Sequence, residues 1–185
     1  DNRMINQLDW DSNFFELQIA ECVIDNQSVI NVEKTYDLIY VFCNSDKDIS
    51  LPGYSESYKE NKIVYFKNDL VKNQFVSDTI LSFSQTNFSR EQLYELSFES
   101  GKYSRFKKDK KFSIRQFENL YKKWIDNSLD INFANDILVC VEENKIIGFI
   151  SYKIKNTEAS IGLVAVLPND QGKGIGKKLL QVVEN

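Results

Sequence analysis

The 185-residue chain contains no histidine. That single absence removes the Ser-His-Asp triad, the Cys-His pair, imidazole zinc sites and every imidazole acid-base scheme. Cysteine is sparse as well. Cys22, Cys43 and Cys140 are odd in number and far apart, so they make neither a C-x-x-C metal or redox pair nor a paired disulfide framework. Cys140 sits inside the apolar run ILVCV and reads as core. No metal is expected, and a reducing cytoplasm fits best. Only two prolines and seven glycines punctuate the sequence. With 42% hydrophobic and 27% charged residues, this is the composition of a folded protein, not a disordered or fibrous one. Long apolar runs are missing too. The longest uncharged stretch, ASIGLVAVLP from Ala159 to Pro168, is about half of the ~20 residues that a spanning helix needs. The acidic start DNRMINQLDWD is no signal peptide, and Met4 is a candidate natural start, so neither membrane insertion nor export is expected. An excess of positive charge is also absent. Lys plus Arg is 23 against 27 Asp plus Glu, a net charge of -4, which argues against general nucleic-acid binding.

What is present is a series of periodic segments, in a length that suits one large domain or two small ones. The Ser-, Asn- and Gln-rich stretch SFSQTNFSREQ (Ser82 to Gln92) places a junction near residue 92. The expected division is a small amino-terminal α/β or α+β domain over 1–92, built on the β-rich runs LQIAECVI, DLIYVFC and KIVYF, and a second domain over 93–185. In the second domain LYELSF (Leu93 to Phe98) predicts a strand that turns at Ser100-Gly101. Ser113 and Gln116 form an S-x-x-Q capping box. Ile114, Phe117, Leu120, Tyr121, Trp124 and Ile125 then recur at helical spacing to about Asn127. DILVCVEE, IIGFISYKIK and ASIGLVAVL, broken at Asn144-Lys145 and Asn156-Thr157, predict three consecutive antiparallel strands. Finally QGKGIGKKLLQVVEN is a glycine-rich turn followed by a helix with Ile175, Leu179, Val182 and Val183 on one face.

That turn lies between a strand and a helix, where unpaired amides and the positive end of the helix dipole converge, an arrangement suited to phosphate. Two phosphate motifs fail against its letters. A Walker loop needs a hydroxyl after its lysine, but Lys177 is followed by Lys178; the dinucleotide fingerprint needs a glycine at position 177. The pattern Q-x-x-G-x-G does match. AVLPNDQGKGIGKKLL resembles the acetyl-CoA loop of the GNAT N-acetyltransferase superfamily, whose motif reads roughly V-x-P-x-x-[QR]-G-x-G-[IV]-G. The resemblance implies an α/β (α+β) fold with a mixed, mostly antiparallel sheet flanked by helices, and acetyl-CoA as co-substrate. It implies that Val164, Ala165 and Val166 contact pantetheine and that Gln171, Gly172, Lys173, Gly174, Ile175 and Gly176 hold the pyrophosphate. It also implies a further strand, helix and hairpin. The sequence is therefore read as a truncated GNAT domain, with the general acid beyond Asn185. The strand ending at Leu167 would then carry an open edge, for which a second copy in a homodimer is one candidate partner.

Three more segments, LDWDSNFFEL, SGKYSRFKKD and LYKKWIDNSL, look like those of the dTDP-fucosamine acetyltransferases. Where those enzymes usually carry a glycine after the F-F pair, this chain has Glu16. The likeness implies acetylation of the amino group of a nucleotide-linked amino sugar, of the dTDP-4-amino-4,6-dideoxyhexose type, in surface polysaccharide synthesis. Arg105 and Tyr103 are the expected acceptor contacts. Arg105 would clamp a diphosphate, although the basic run from Arg105 to Lys111 also reads as a solvated face. Trp10, Phe14 and Phe15 read as packing. Direct attack by an amine needs no side-chain nucleophile, and a backbone N–H near Val164 to Val166 would stabilise the oxyanion. Glu99 and Glu158, both expected on strands, are the candidate catalytic carboxylates, and spacing does not choose between them. Two alternatives stay open: a GNAT enzyme for a protein amino terminus, polyamine or antibiotic, and a non-catalytic acyl-CoA sensor.

Overall fold

Two short runs of β-branched and aromatic residues build the first sheet. Strand β1 (Asn6–Gln7) pairs antiparallel with β2 (Ile19–Ile24), which pairs in parallel with β3 (Leu38–Cys43), Ile19 standing opposite Leu38. Between β1 and β2 the segment Asp9–Phe15 forms helix α1, closed by Glu16 in the left-handed conformation at φ 57°, ψ 38°. Ser12 ties that helix to the sheet, its Oγ accepting from the Ile19 amide at 3.0 Å. Cys22, Ile24 and Ile30 form the buried centre. These elements belong to one compact unit, 1–59, and the remainder to a second, 60–185. The computed structural model describes residues 5–24, 29–43, 49–60, 77–156 and 158–184. The expected strand KIVYF lies outside the described residues. The junction expected near residue 92 falls inside the second unit, because strand β4 (Ile80–Ser82) pairs antiparallel with β5 (Asp136–Glu142), Ile80 opposite Cys140. The polar stretch that suggested a linker is instead a connection within that unit, and its Phe83 is buried in the core.

The second sheet is ordered β4-β5-β6-β7 and antiparallel throughout, with β6 (Lys145–Lys155) and β7 (Glu158–Val166) completing the three consecutive strands that the sequence predicts. β5 and β6 meet in a tight turn with Glu143 and Asn144 at φ 47° and 61°. Helices α2 (Arg90–Gly101), α3 (Arg105–Lys108) and α4 (Ile114–Ser128) follow β4, and α5 (Ile175–Val183) follows β7. β5 and the first half of β6 are buried on both faces, which is why they read as nearly unbroken apolar runs, while most of β7 is exposed. Leu93 and Leu96 of α2 and Ile125 of α4 pack on Ile137, Val139 and Phe149. Ile175 and Leu179 of α5 pack on Leu138, Cys140 and Ile150 on the other face. Cys140 is therefore core, and burial pushes its thiol pKa up. The capping box is formed: Ser113 Oγ accepts from the Gln116 amide at 3.2 Å, and Gln116 Oε1 accepts from the Ser113 amide at 2.9 Å.

One element differs in type from the expectation. LYELSF is part of helix α2, not a strand, and Glu99 consequently stands on a helix. Tyr94 and Phe98 raise the strand propensity of the segment, but Leu93, Leu96 and Ser97 are the residues buried, at spacings of three and four. Among the described residues no helix is long and apolar enough to cross a membrane.

Candidate functional site

Among the described residues β7 is the last strand of its sheet, so one of its edges faces away from β6. Register decides which groups lie there. The Leu167 amide donates to the Ile147 carbonyl at 2.8 Å, and the Leu163 amide donates to Ser151 Oγ on β6 at 2.9 Å. Residues 163, 165 and 167 therefore turn their main-chain groups toward β6, and Val164 and Val166 turn theirs outward. Ser151 is buried where the β6–β7 register shifts, and its hydroxyl stands in for a ladder carbonyl. Gly162 leaves room for that substitution, since a Cβ there would come within 2.8 Å of the hydroxyl.

Past β7 the chain makes a single 3-10 turn at Pro168–Asp170 and enters the glycine loop. Gly172 and Gly174 both adopt positive φ, 80° and 79°, which favours glycine at each. A Cβ on either would meet nothing within 4 Å, so the loop borders open space. Gly174 caps α5 without a side-chain bond, and the first internal bond of the helix runs from the Lys178 amide to the Gly174 carbonyl at 3.0 Å. The amides of Ile175, Gly176 and Lys177 precede it, an anion-binding arrangement at the positive helix end. Lys173 Nζ is held by Asp170 Oδ1 at 2.6 Å, and that hydrogen bond raises the lysine pKa. Gln171 reaches back to the strand, its Nε2 donating to the Val166 carbonyl at 3.0 Å.

Opposite this edge lies the carboxyl end of α2. Glu99, Lys102 and Tyr103 on one side and Val164, Ala165, Val166 and Gln171 on the other line a cleft of about 300 Å³. Glu99 Oε2 accepts from Lys102 Nζ at 3.1 Å, and this bond raises the Lys102 pKa. The Tyr103 ring is 71% exposed, with the ammonium groups of Lys102 and Lys108 at 5.3 and 5.5 Å from its centroid. Among the described residues no group of three or more Cys, Asp or Glu is arranged to hold a metal ion.

The cleft thus gathers Glu99, Tyr103, Val164, Ala165, Val166 and Gln171 from the residues singled out in the sequence. It does not gather Glu158 or Arg105. Glu158 opens β7 opposite Lys155, six residues before Val164, which is about 20 Å along a strand. Arg105 places its guanidinium carbon 4.7 Å above the Phe106 ring, outside the cleft lining. The basic run disperses over aromatic faces, Lys107 taking the Phe117 ring at 4.8 Å. Trp10 stacks on Phe14 at 5.1 Å but is 44% exposed, while Phe15 is buried. Sequence reasoning does not single out Lys102 or Ser151. The spacing of three between Glu99 and Lys102 signals a pair once the segment is known to be helical. Nothing local marks Ser151.

No curated protein matches the chain at a significant level. Solved structures similar to it include a GNAT family acetyltransferase from Brucella melitensis in complex with acetyl-CoA, at 20% identity and TM-score 0.40, covering 55% of this chain and 62% of that one. PaiA N-acetyltransferase from Thermoplasma acidophilum in complex with coenzyme A is 26% identical, with TM-score 0.40 over 57% of this chain and 68% of its own. An aminoglycoside 6'-N-acetyltransferase complexed with coenzyme A is 13% identical, with TM-score 0.37 over 56% and 52%. The chain spans less than two thirds of the first of these. The profile of the Acetyltransferase (GNAT) family matches residues 91–185, just over half of the sequence. That span takes in the helices α2 to α5, the strands β5 to β7 and the glycine loop, and the chain belongs to the GNAT acetyltransferase family.

Proposed function

We propose that this chain binds acetyl-CoA along β7 and the glycine loop and takes part in moving its acetyl group to a primary amine presented in the α2–β7 cleft. The observation that carries this reading is the continuity of three features: an outward main-chain edge at Val164 and Val166, a loop of two left-handed glycines, and a first turn of α5 that carries no side-chain cap bond. An acyl-CoA has an extended amide-bearing arm and a pyrophosphate, and these features offer strand-type pairing to the first and bare amides to the second. The thioester supplies an activated acetyl group, so no side-chain nucleophile is needed. Outward N–H groups on β7 are placed to donate to an oxygen as it gains charge. Glu99 is the carboxylate in the cleft and is the group to accept the ammonium proton. Lys102 beside it holds that carboxylate at one end of the cleft.

The acceptor in this reading is a nucleotide-linked amino sugar, supported by the W-D-S-N-F-F, Y-S-R-F and W-I-D-N-S segments and by the exposed Tyr103 ring flanked by two lysines. A planar ring and cations at the mouth suit a molecule with a base and phosphates better than a polycationic amine. The test is calorimetry with coenzyme A, followed by thiol release from acetyl-CoA against a panel of nucleotide amino sugars, polyamines and aminoglycosides. Coenzyme A is expected to bind, and Gly174→Glu to abolish binding by adding a side chain and like charge where the backbone must approach phosphate. Glu99→Gln is expected to lower the rate about 100-fold with little change in coenzyme A affinity. Undiminished binding by the Gly174 variant overturns the site, and turnover confined to polycations overturns the acceptor.

A further inference from the structure

Gln171 is the one residue of the glycine loop whose side chain is tied to β7. Its Nε2 donates to the Val166 carbonyl at 3.0 Å, and that carbonyl lies on the outward edge by the same register that turns the Leu163 and Leu167 amides inward. The bond has two consequences. It removes one acceptor from the open edge, leaving the Val164 amide and carbonyl and the Val166 amide as the outward pattern between the Ser151 bulge and the loop. It also ties the start of the loop to the strand, beside the packing of Ile175 against Val166 and Leu167. A side chain committed to a carbonyl on β7 is not directed at an anion held by the loop amides.

We propose that Gln171 is a positioning residue that sets the outward edge of β7 for the arm of the acyl donor, and that it is not itself a pyrophosphate contact. This rests on the acetyl-CoA reading above. The demand is for a long side chain that donates a hydrogen bond. Glutamine and arginine meet it, while glutamate, of the same length, offers only acceptors.

Two probes separate the roles. Coenzyme A occupies both strand and loop, whereas 3'-phosphoadenosine 5'-diphosphate keeps both phosphates of the pyrophosphate and lacks the arm. Binding of each is measured by calorimetry for the wild-type chain, Gln171→Met and Gln171→Arg. The methionine variant keeps length and neutrality but has no donor. Its affinity for coenzyme A is expected to fall about fivefold to tenfold, with less than about a twofold change for the armless probe. The arginine variant is expected to restore the wild-type ratio of the two affinities, whatever its added charge does to both. Equal losses for the two probes in Gln171→Met make the residue a phosphate contact and overturn the proposal. An unchanged ratio in Gln171→Met with wild-type affinities overturns it too. A wild-type chain that binds neither probe sinks the acetyl-CoA reading, and this one with it.

Discussion

At the scale of single residues, the hydroxyl of Ser151 decides the shape of the site's strand. It accepts from the Leu163 amide at 2.9 Å where the ladder register shifts. Ser151→Ala leaves that inward amide without its acceptor, which is expected to cost about 1 to 3 kcal/mol. Denaturant unfolding checks this, with a midpoint shift at constant slope expected and a change below about 0.5 kcal/mol counting against it. Residues of this kind differ in how far a sequence discloses them. Gly172 and Gly174 were legible because positive φ selects glycine, so conformation is written into the letter. Ser151 was not, because a serine in an apolar run looks the same whether its hydroxyl replaces a carbonyl or merely fills space. Gln171 was half legible: its presence in the loop could be read, but its direction depends on strand register. Glu16 is the reverse case, a left-handed residue at φ 57° carried by a side chain that gives no hint of it.

The largest departure between sequence and structure occurs at the scale of elements, and one substitution tests its explanation. Helix α2 was expected as a strand because tyrosine and phenylalanine favour pleated surfaces, yet burial of Leu93, Leu96 and Ser97 follows a helical period. Gly101, expected in a turn after that strand, is the last residue of α2 and lies directly against the Tyr121 ring of α4. Two effects then oppose each other in Gly101→Ala. Helix propensity alone favours alanine by about 1 kcal/mol. The added Cβ would overlap the Tyr121 ring, and overpacking of this kind costs about 1 to 3 kcal/mol. The ring is buried among Phe117 and Trp124 and has little room to retreat, so destabilisation is the expected sign. A stabilised variant in thermal or denaturant unfolding would show that α2 and α4 do not approach this closely. By contrast α4 and the three consecutive strands were readable in advance, since a capping box and long apolar runs are local signals.

At the scale of the whole molecule, the family was legible and the boundary between units was not. Motif order survives as text, whereas membership of β4 in the second sheet depends on its pairing with β5, more than fifty residues away. The charge balance of the second unit gives a prediction of its own. Tyr94 has its pKa raised by the hydrogen bond its hydroxyl donates to Asp126, at 2.7 Å. Tyr121, Tyr152 and Cys140 are raised by burial, and Lys102 by its bond to Glu99. All five hold their protons more tightly folded than unfolded. Each contribution to stability is therefore complete below the group's unfolded pKa, about 9 for the thiol and about 10 for the others, and is lost as pH rises through the raised folded value. The unit's thermal midpoint is expected to stay level up to about pH 9 and to fall steadily toward about pH 11. Tyr121→Phe keeps a ring against Gly101 while removing an ionisable hydroxyl, so its midpoint should fall less steeply above about pH 10 than that of the wild type. A midpoint that stays constant over the whole range would mean that these groups titrate alike in the folded and unfolded chain, whereas two parallel declines would mean that Tyr121 is not buried as its contacts with Phe117 and Trp124 require.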